Sequence, residues 1–249
     1  MKRLILFDID GTLLRVRGRS RPLVETILQE VFGRRISAQG YAFAGKTDPQ
    51  IFRDLARLGG VPEEEIAAGL PEALRRYLVC LAEELRPEHV EVLPGVRALL
   101  EGLRARTEVL LGLLTGNLEA GARLKLAAAG LLEYFPRQRK TPNDADPPLL
   151  GAFGSDDAER DRLLPIAWAR AAAYARRNFT AQETLLVGDT EYDVRCGLPY
   201  GVRVLAVATG PYGAEALRQV GAWRVLERLE PPEVALAALL DGTPQDAGL

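Results

Sequence analysis

The chain has 249 residues, of which 47% are hydrophobic and 27% charged, and its formal net charge is −2 at pH 7. These values are typical of a soluble globular protein with one large domain, or with a core domain and a smaller insert. A charge this close to zero excludes a global attraction to nucleic acid or to an anionic membrane surface. No apolar run approaches the roughly 20 residues of a membrane-spanning helix, so we expect neither a nucleic-acid nor a membrane partner.

The first predicted element is a short buried strand over residues 3–9, in which Leu-Ile-Leu-Phe precedes Asp8 and Asp10. The two carboxylates end the apolar run too early for the hydrophobic segment of a secretion signal, so we expect a cytoplasmic protein. Since they are two residues apart, they would lie on one face of a regular strand. Adjacent carboxylates repel each other unless a proton or a cation lies between them, and the pair therefore predicts a divalent-metal site.

A helical stretch follows, from about residue 20 to about residue 90. Its first helix is indicated by apolar residues at helical spacing, namely Val24, Ile27, Leu28 and Val31. Asp48 followed by Pro49 is typical of a helix start, and residues 70–85 predict a further helix. This stretch contains no convincing strand pattern, so the sequence predicts a compact helical insert.

Helices and strands alternate in the rest of the chain. Strands are predicted over residues 108–114, 184–188, 202–208 and 223–226, and helices over residues 96–103 and 163–176. This alternation is typical of a parallel sheet covered on both faces, whose ligand crevice lies beyond the carboxyl ends of the strands. Residues 136–148 break the periodicity and predict a polar surface loop. The last apolar helix, over residues 234–240, could pack equally well in the core or in a dimer interface. The sequence therefore leaves open whether the protein is a monomer or a homodimer.

Two of these strands end in polar residues where the crevice is expected. Thr115, Gly116 and Asn117 follow one of them, and a hydroxyl beside a glycine N–H suits the oxygens of a phosphoryl group. Asp189 and Asp193 follow the other, and carboxylates are the ligands that a hard cation prefers. Each motif alone also fits a turn with a helix cap, and it is their combination that indicates a site.

Other metal or redox chemistry has little support in the composition. The two cysteines, Cys80 and Cys196, are far apart and lack Cys-x-x-Cys spacing, which favours buried thiols over a disulfide or a zinc site. His89 is the only histidine, so a metal in this protein would have to be held by oxygen atoms.

In their order and spacing, these motifs resemble those of the haloacid dehalogenase superfamily. Asp8-Ile9-Asp10-Gly11-Thr12 fits the family's first motif, Asp-x-Asp-Gly-Thr, without exception. Thr115 fits the second motif, and Asp189 and Asp193, preceded by a glycine, fit the fourth. Shorter matches near residues 45–48 and 93–96 extend the resemblance over nearly the whole chain. Within this family, the sequence resembles the phosphoglycolate phosphatase-like members.

The resemblance implies an α/β fold in two parts. The core, residues 1–15 and 92–249, would be a Rossmann-like, doubly wound parallel sheet. Residues 16–91 would form a small α-helical domain inserted after the first strand, which we call the cap.

The family's third motif is a lysine or arginine at the head of a helix, shortly before the fourth motif. The usual Lys-Pro pair is absent, and the candidates are Arg160 and Arg162. Arg160 is preferred because it resembles the arginine after Gly-Ser-Asp in a phosphatase subgroup with the edge strand Gly-Ala-Phe-Gly-Ser-Asp. Pro165, three residues after Arg162, favours the alternative. Arginine at this position keeps the positive charge of lysine and adds a bidentate fork.

The resemblance also implies a two-step phosphoryl transfer. Asp8 would attack phosphorus and form an aspartyl-phosphate, while Asp10 would protonate the leaving alkoxide and then activate the water that releases phosphate. Mg²⁺ would be held by the Asp8 carboxylate, the Asp10 backbone carbonyl and Asp189, with Asp193 supporting it.

Other residues of the motifs would hold the substrate. Thr115, Gly116 and Arg160 would bind the transferred phosphoryl oxygens, and Asn117 would help to position the loop or the substrate. The cap would select the substrate, a small-molecule phosphate ester, because its place in the chain puts it over the crevice. Gly45, Lys46 and Thr47 are the cap candidates. Lys46 would pair with a substrate carboxylate. The other interpretation is that Lys46 is a solvated surface charge.

Three alternatives to a phosphatase share parts of this pattern. A dehalogenase of the same family lacks the second aspartate of the first motif, because halide needs no protonation, and Asp10 therefore favours phosphoryl chemistry. A phosphomutase of the β-phosphoglucomutase type shares both the motifs and the cap. A non-catalytic scaffold that binds phosphorylated ligands would be marked by loss of Asp8 or Asp10, and both are present.

Overall fold

The computed structural model describes residues 3–18, 20–138 and 147–240. Its strands are, in chain order, β1 (Arg3–Phe7), β2 (Leu14–Val16), β3 (Val90–Val92), β4 (Val109–Thr115), β5 (Gly151–Phe153), β6 (Thr184–Gly188), β7 (Arg203–Val207) and β8 (Arg224–Leu226). Six of them form one parallel sheet in the order β5-β4-β1-β6-β7-β8. The chain order reverses beside β1, which is where open α/β sheets form their ligand crevices.

Helices cover both faces of this sheet. In chain order they are α1 (Ser20–Phe32), α2 (Asp48–Leu58), α3 (Glu63–Glu84), α4 (Val96–Arg104), α5 (Glu119–Ala128), α6 (Leu163–Ala175), α7 (Glu191–Gly197), α8 (Ala214–Gln219) and α9 (Pro232–Leu240). Ile5 and Phe7 of β1 pack with α4, α5 and α9 on one face, while Leu4 and Leu6 pack with α6, α7 and α8 on the other. The predicted Rossmann-like, doubly wound α/β fold is thereby confirmed. Within the described ranges, no helix combines the length and the apolar character needed to cross a bilayer.

The helices α1, α2 and α3 form a separate layer with an apolar cluster of its own, centred on Phe52 and Leu55. The chain enters and leaves this layer through β2 and β3, which pair antiparallel as a two-stranded ribbon. The expectation of a purely helical insert was therefore incomplete at its borders, because strands of three residues are too short to show a readable alternation. The ribbon lies at the predicted borders of the cap, and the division into two domains stays a prediction.

The segment after β1 differs from its prediction. β1 ends at Phe7, and the N–H groups of Leu13 and Leu14 bond back to the Ile9 carbonyl. Gly11 allows this turn because it adopts φ +86°, a left-handed conformation that other residues rarely take. Asp8 and Asp10 therefore do not share the face of a regular strand, and their side chains meet different partners. Most of the predicted loop over residues 136–148, namely 139–146, lies outside the described residues.

Candidate active site

The ends of three neighbouring strands bring the predicted residues together. β1 lies between β4 and β6, with Phe7 paired to Leu113 on one side and to Val187 on the other. The segments that follow these strands consequently emerge at one edge of the sheet. Asp8 and Asp189 become neighbours there, although they lie far apart in the chain.

Asp8, Asp189 and Asp193 form a buried acidic cluster. One carboxylate oxygen from each lies within 4.8 Å of the other two. Asp189 accepts a hydrogen bond from the Thr12 hydroxyl at 3.0 Å. Asp193, in the first turn of α7, accepts from the backbone N–H and the hydroxyl of Thr190 at 3.0 and 2.6 Å. These neutral donors fix the carboxylates in place without balancing their charge.

Arg160 is the cation of this cluster. Its buried guanidinium forms ion pairs with Asp8, at 3.1 Å, and with Asp193, and it donates to the Gly45 carbonyl at 3.1 Å. Its Nε is buried and has no acceptor in the described protein, so one donor of the fork suits a ligand oxygen. The side chain of Arg162 is 70% exposed and pairs with Asp157 at the surface. Of the two arginines considered from the sequence, Arg160 is the one that reaches the cluster.

The electrostatics of the cluster favour a bound cation. Burial raises the pKa of Asp8 to about 6, an effect that Arg160 opposes and that Asp193 and Asp10 reinforce. Burial also raises the pKa of Asp189 well above its usual range, and the charges of Asp8 and Asp193 add to the increase. Neighbouring carboxylates thus hinder the deprotonation of Asp8 and of Asp189, and a cation relieves this repulsion.

The donor set fits the Mg²⁺ expected from the sequence. Three carboxylates less one guanidinium leave two negative charges, which one divalent ion balances. The donors of the cluster are oxygen atoms, as Mg²⁺ prefers. Glycines make room for these carboxylates, because a Cβ added at Gly11 or Gly210 would lie 2.3 or 1.7 Å from Asp189 Oδ2, and one added at Gly188 would lie 2.5 Å from Asp193 Oδ2.

A second polar cluster lies around Asp10. Its Oδ2 accepts hydrogen bonds from Lys125 Nζ and from Asn117 Nδ2, both at 2.7 Å. Lys125 also donates to Asn117 Oδ1 at 2.5 Å, and Asn117 Nδ2 lies 2.9 Å from Thr115 Oγ1. The predicted residues Asp10, Thr115 and Asn117 are thus joined by a lysine that the sequence analysis missed.

The sequence did contain a signal for Lys125. The buried face of α5 consists of Gly121, Ala122, Leu126 and Lys125 itself. A lysine on the apolar stripe of a helix needs an anionic or polar partner, because an unpaired buried charge is very costly. Because α5 begins just after Asn117, the position of Lys125 indicates a partner at the predicted site.

The cap contacts the core through residues 45–48. The Asp48 N–H donates to the Gly116 carbonyl at 2.7 Å, and the Asp48 carboxylate accepts from the Leu118 N–H at 2.8 Å. A Cβ on Gly116 would lie only 2.1 Å from the Lys46 carbonyl oxygen, so this approach requires glycine. The segment is therefore docked by backbone contacts on the loop that follows β4.

The side chains of the two cap candidates are engaged within the protein. Lys46 Nζ lies 2.8 Å from the Tyr41 hydroxyl and 3.3 Å from Asp54 Oδ2. The buried Thr47 hydroxyl donates to the Ala158 carbonyl at 2.6 Å and caps α2. Substrate contacts by Lys46 and Thr47 stay predictions, and in this arrangement each polar group already has protein partners.

A cavity of about 330 Å³ joins the two polar clusters to the cap. The core contributes charged and polar groups to its wall, among them Asp8, Asp10, Thr115, Gly116, Asn117, Lys125, Arg160 and Asp189. The cap contributes mainly apolar side chains, among them Val24, Phe43, Ile51, Phe52 and Tyr77, together with the polar residues Ser20, Lys46 and Asp48. Charged and polar groups thus line one side of the cavity, and a mainly apolar surface lines the other.

Comparison with known proteins gives consistent matches. The family description for haloacid dehalogenase-like hydrolases matches residues 2–198. The probable phosphatase IndB of Dickeya dadantii (strain 3937) is 26% identical over 222 residues, which cover 88% of this chain and 86% of that protein.

Solved structures share the fold. A predicted phosphatase from Clostridium acetobutylicum superposes with a TM-score of 0.64 at 18% identity, covering 96% of this chain and all of that one. The β-phosphoglucomutase of Clostridium difficile gives a TM-score of 0.62 at 16% identity, covering 94% of this chain and 96% of that one. At such identities, the likeness concerns the fold alone.

Proposed function

The chain belongs to the haloacid dehalogenase-like hydrolase family, and from this premise we propose that it is a magnesium-dependent phosphatase acting on a small phosphorylated metabolite. One observation carries the proposal: the buried Asp8 lies against Arg160, and both line one cavity with Asp10. These three groups match the needs of phosphoryl transfer, which are a nucleophile, a fixed positive charge and a proton donor.

In the first step, a carboxylate oxygen of Asp8 attacks phosphorus. The bond from phosphorus to the ester oxygen breaks, its electron pair stays on that oxygen, and Asp10 supplies the proton that makes it an alcohol. Arg160 receives the phosphoryl charge, with its buried Nε–H as a donor. Thr115 adds a hydroxyl, and its interaction with Asn117 fixes where that hydroxyl points.

In the second step, Asp10 takes a proton from water as the water oxygen attacks phosphorus. The bond between phosphorus and Asp8 breaks, phosphate leaves, and both aspartates return to their starting states. When bound, Mg²⁺ screens the negative charges of nucleophile and phosphoryl group that must approach each other. Asp8, Asp189, Asp193 and the Asp10 carbonyl would hold it.

The cap supports a substrate whose leaving group is small and has an apolar part. The cavity of about 330 Å³ must hold both the phosphoryl group and the rest of the ester. The apolar cap wall opposite the charged groups favours packing over ionic recognition. Lys46 is the cap cation available to a substrate carboxylate, as in a phosphoglycolate-like ester, provided that the substrate displaces its contact with Asp54.

The proposal is tested by phosphate release from p-nitrophenyl phosphate and from a panel of phosphoglycolate, sugar phosphates and nucleoside monophosphates. We expect turnover that EDTA abolishes and Mg²⁺ restores. Asp8→Asn should abolish it, and Asp189→Asn should raise the Mg²⁺ concentration needed for half-maximal activity. Folding of both variants is checked by circular dichroism.

Two results would count against the proposal. Absence of Mg²⁺-dependent turnover across the whole panel would exclude a phosphatase. Conversion of β-glucose 1-phosphate to glucose 6-phosphate without net phosphate release would instead identify a phosphomutase, the alternative that uses the same aspartates. Undiminished turnover by Asp8→Asn would remove Asp8 from the role of nucleophile.

A further inference from the structure

The environment of Asp10 is asymmetric. Lys125 Nζ and Asn117 Nδ2 both donate to its Oδ2, at 2.7 Å each. Within the described parts of the chain, no hydrogen bond reaches the other carboxylate oxygen, Oδ1. The Asp10 side chain is 42% exposed, whereas that of Lys125 is 8% exposed. One oxygen is therefore held by the protein, and the other is left to the cavity that Asp10 lines.

Lys125 also determines how Asn117 is turned. An ammonium group has donors and no lone pair, so the atom of Asn117 that faces it must be the amide oxygen. The amide nitrogen then points to Asp10 Oδ2 and to Thr115 Oγ1, as observed. The lysine thus fixes the direction of both donors that meet at Oδ2.

The place of Lys125 argues against a purely stabilising role. Its two hydrogen-bond partners in the described protein, Asp10 and Asn117, both line the cavity, as does Lys125 itself. From the cap, the Asp48 carboxylate is close enough to favour its positive charge. A charge buried for stability alone gains little over an apolar side chain of the same volume.

We propose that Lys125 is a positioning residue for proton transfer, because it holds Asp10 by Oδ2 and leaves Oδ1 to carry the proton to the ester oxygen. The inference rests on the proposed function. As the bond from phosphorus to the ester oxygen breaks, the proton moves from Oδ1 to that oxygen. The carboxylate that remains is already bonded at Oδ2 by Lys125 and Asn117.

The test uses two esters of similar size, p-nitrophenyl phosphate and benzyl phosphate. The nitrophenolate leaves without help, whereas the strongly basic benzyl alkoxide needs a proton. Lys125→Met should lower kcat/KM for benzyl phosphate by about tenfold or more relative to p-nitrophenyl phosphate, since general acid catalysis commonly contributes about 10² or more. The ratio of kcat/KM reports on the first chemical step, and retained p-nitrophenyl phosphate turnover shows that the site is folded.

Two further variants sharpen the result. Asp10→Asn should shift the same ratio, and Lys125→Met added to it should shift the ratio no further, because the lysine acts through Asp10. Arg123→Met is the matched control, since Arg123 lies on the same helix and pairs with Glu119 at 2.8 Å. It should leave the ratio unchanged.

An equal loss on both esters, or no loss, would overturn the role of Lys125 while leaving the phosphatase intact. A further shift of the ratio in the double variant would show that the lysine does not act through Asp10. Failure of the native protein on every ester would instead refute the proposed function.

Discussion

Replacement of Asp8 by asparagine should stabilise the metal-free protein while it removes the nucleophile. Burial raises the Asp8 pKa from 3.8 to about 6. Each unit is worth about 1.4 kcal/mol, so the folded chain bears a cost of about 3 kcal/mol when this carboxyl is ionised. Below pH 3.8 the group is protonated in both folded and unfolded chains, and the cost vanishes. It is fully present above pH 6, so the gain from the substitution grows as the pH rises between these values.

Urea unfolding in EDTA measures this gain at about pH 3 and about pH 7.5, which bracket the two pKa values. We expect the free energy of unfolding of Asp8→Asn to be larger than that of the native protein at the higher pH and equal to it at the lower pH. Asp161→Asn, a change at an exposed carboxylate, should give no such pH-dependent gain. Mg²⁺ should then stabilise the native protein more than the variant. An Asp8→Asn protein that is less stable than the native one at pH 7.5 would refute the reasoning.

Two further predictions follow from the contacts of Arg160 and Gly116. Arg160→Met should lower kcat by about 10² or more and the free energy of unfolding by about 3 kcal/mol, because it leaves paired carboxylates buried without their cation. Arg162→Met should change neither value, and equal effects in assays of both variants would refute this distinction. Gly116→Ala places a Cβ 2.1 Å from the Lys46 carbonyl oxygen and should increase hydrogen exchange in the docked cap segment. Gly213→Ala is the control and should not increase this exchange, because no atom lies within 4 Å of the added Cβ. Equal hydrogen exchange in the two variants would contradict the packing argument.

Much of the fold could be predicted because its signals are local. The buried strands β4 and β6 are continuous apolar runs, and such runs between helices indicate a parallel sheet. The ribbon of β2 and β3 escaped prediction because it pairs two segments of three residues across the whole cap. Its pairing depends on the ends of the cap being close together, which no local pattern records.

The candidate site divides in the same way. Asp8 and Asp189 could be predicted because each follows an apolar strand, and parallel strands bring their carboxyl ends to one edge. The choice between Arg160 and Arg162 needed the direction of each side chain, which sequence spacing does not give. Lys125 was missed because its partner Asp10 is remote in the chain, and its place on the buried face of α5 was not read as a sign of function.

Because residues 45–48 are docked on the core, different parts of the cap should tolerate substitution to different degrees. Its backbone contacts Arg160 and the Gly116 loop, so most substitutions there would disturb catalysis for every substrate alike. Ile51 and Phe52, one turn further along α2, line the cavity and pack into the apolar cluster of the cap. A selection for new substrates should therefore recover changes in that wall and leave residues 45–48 as they are.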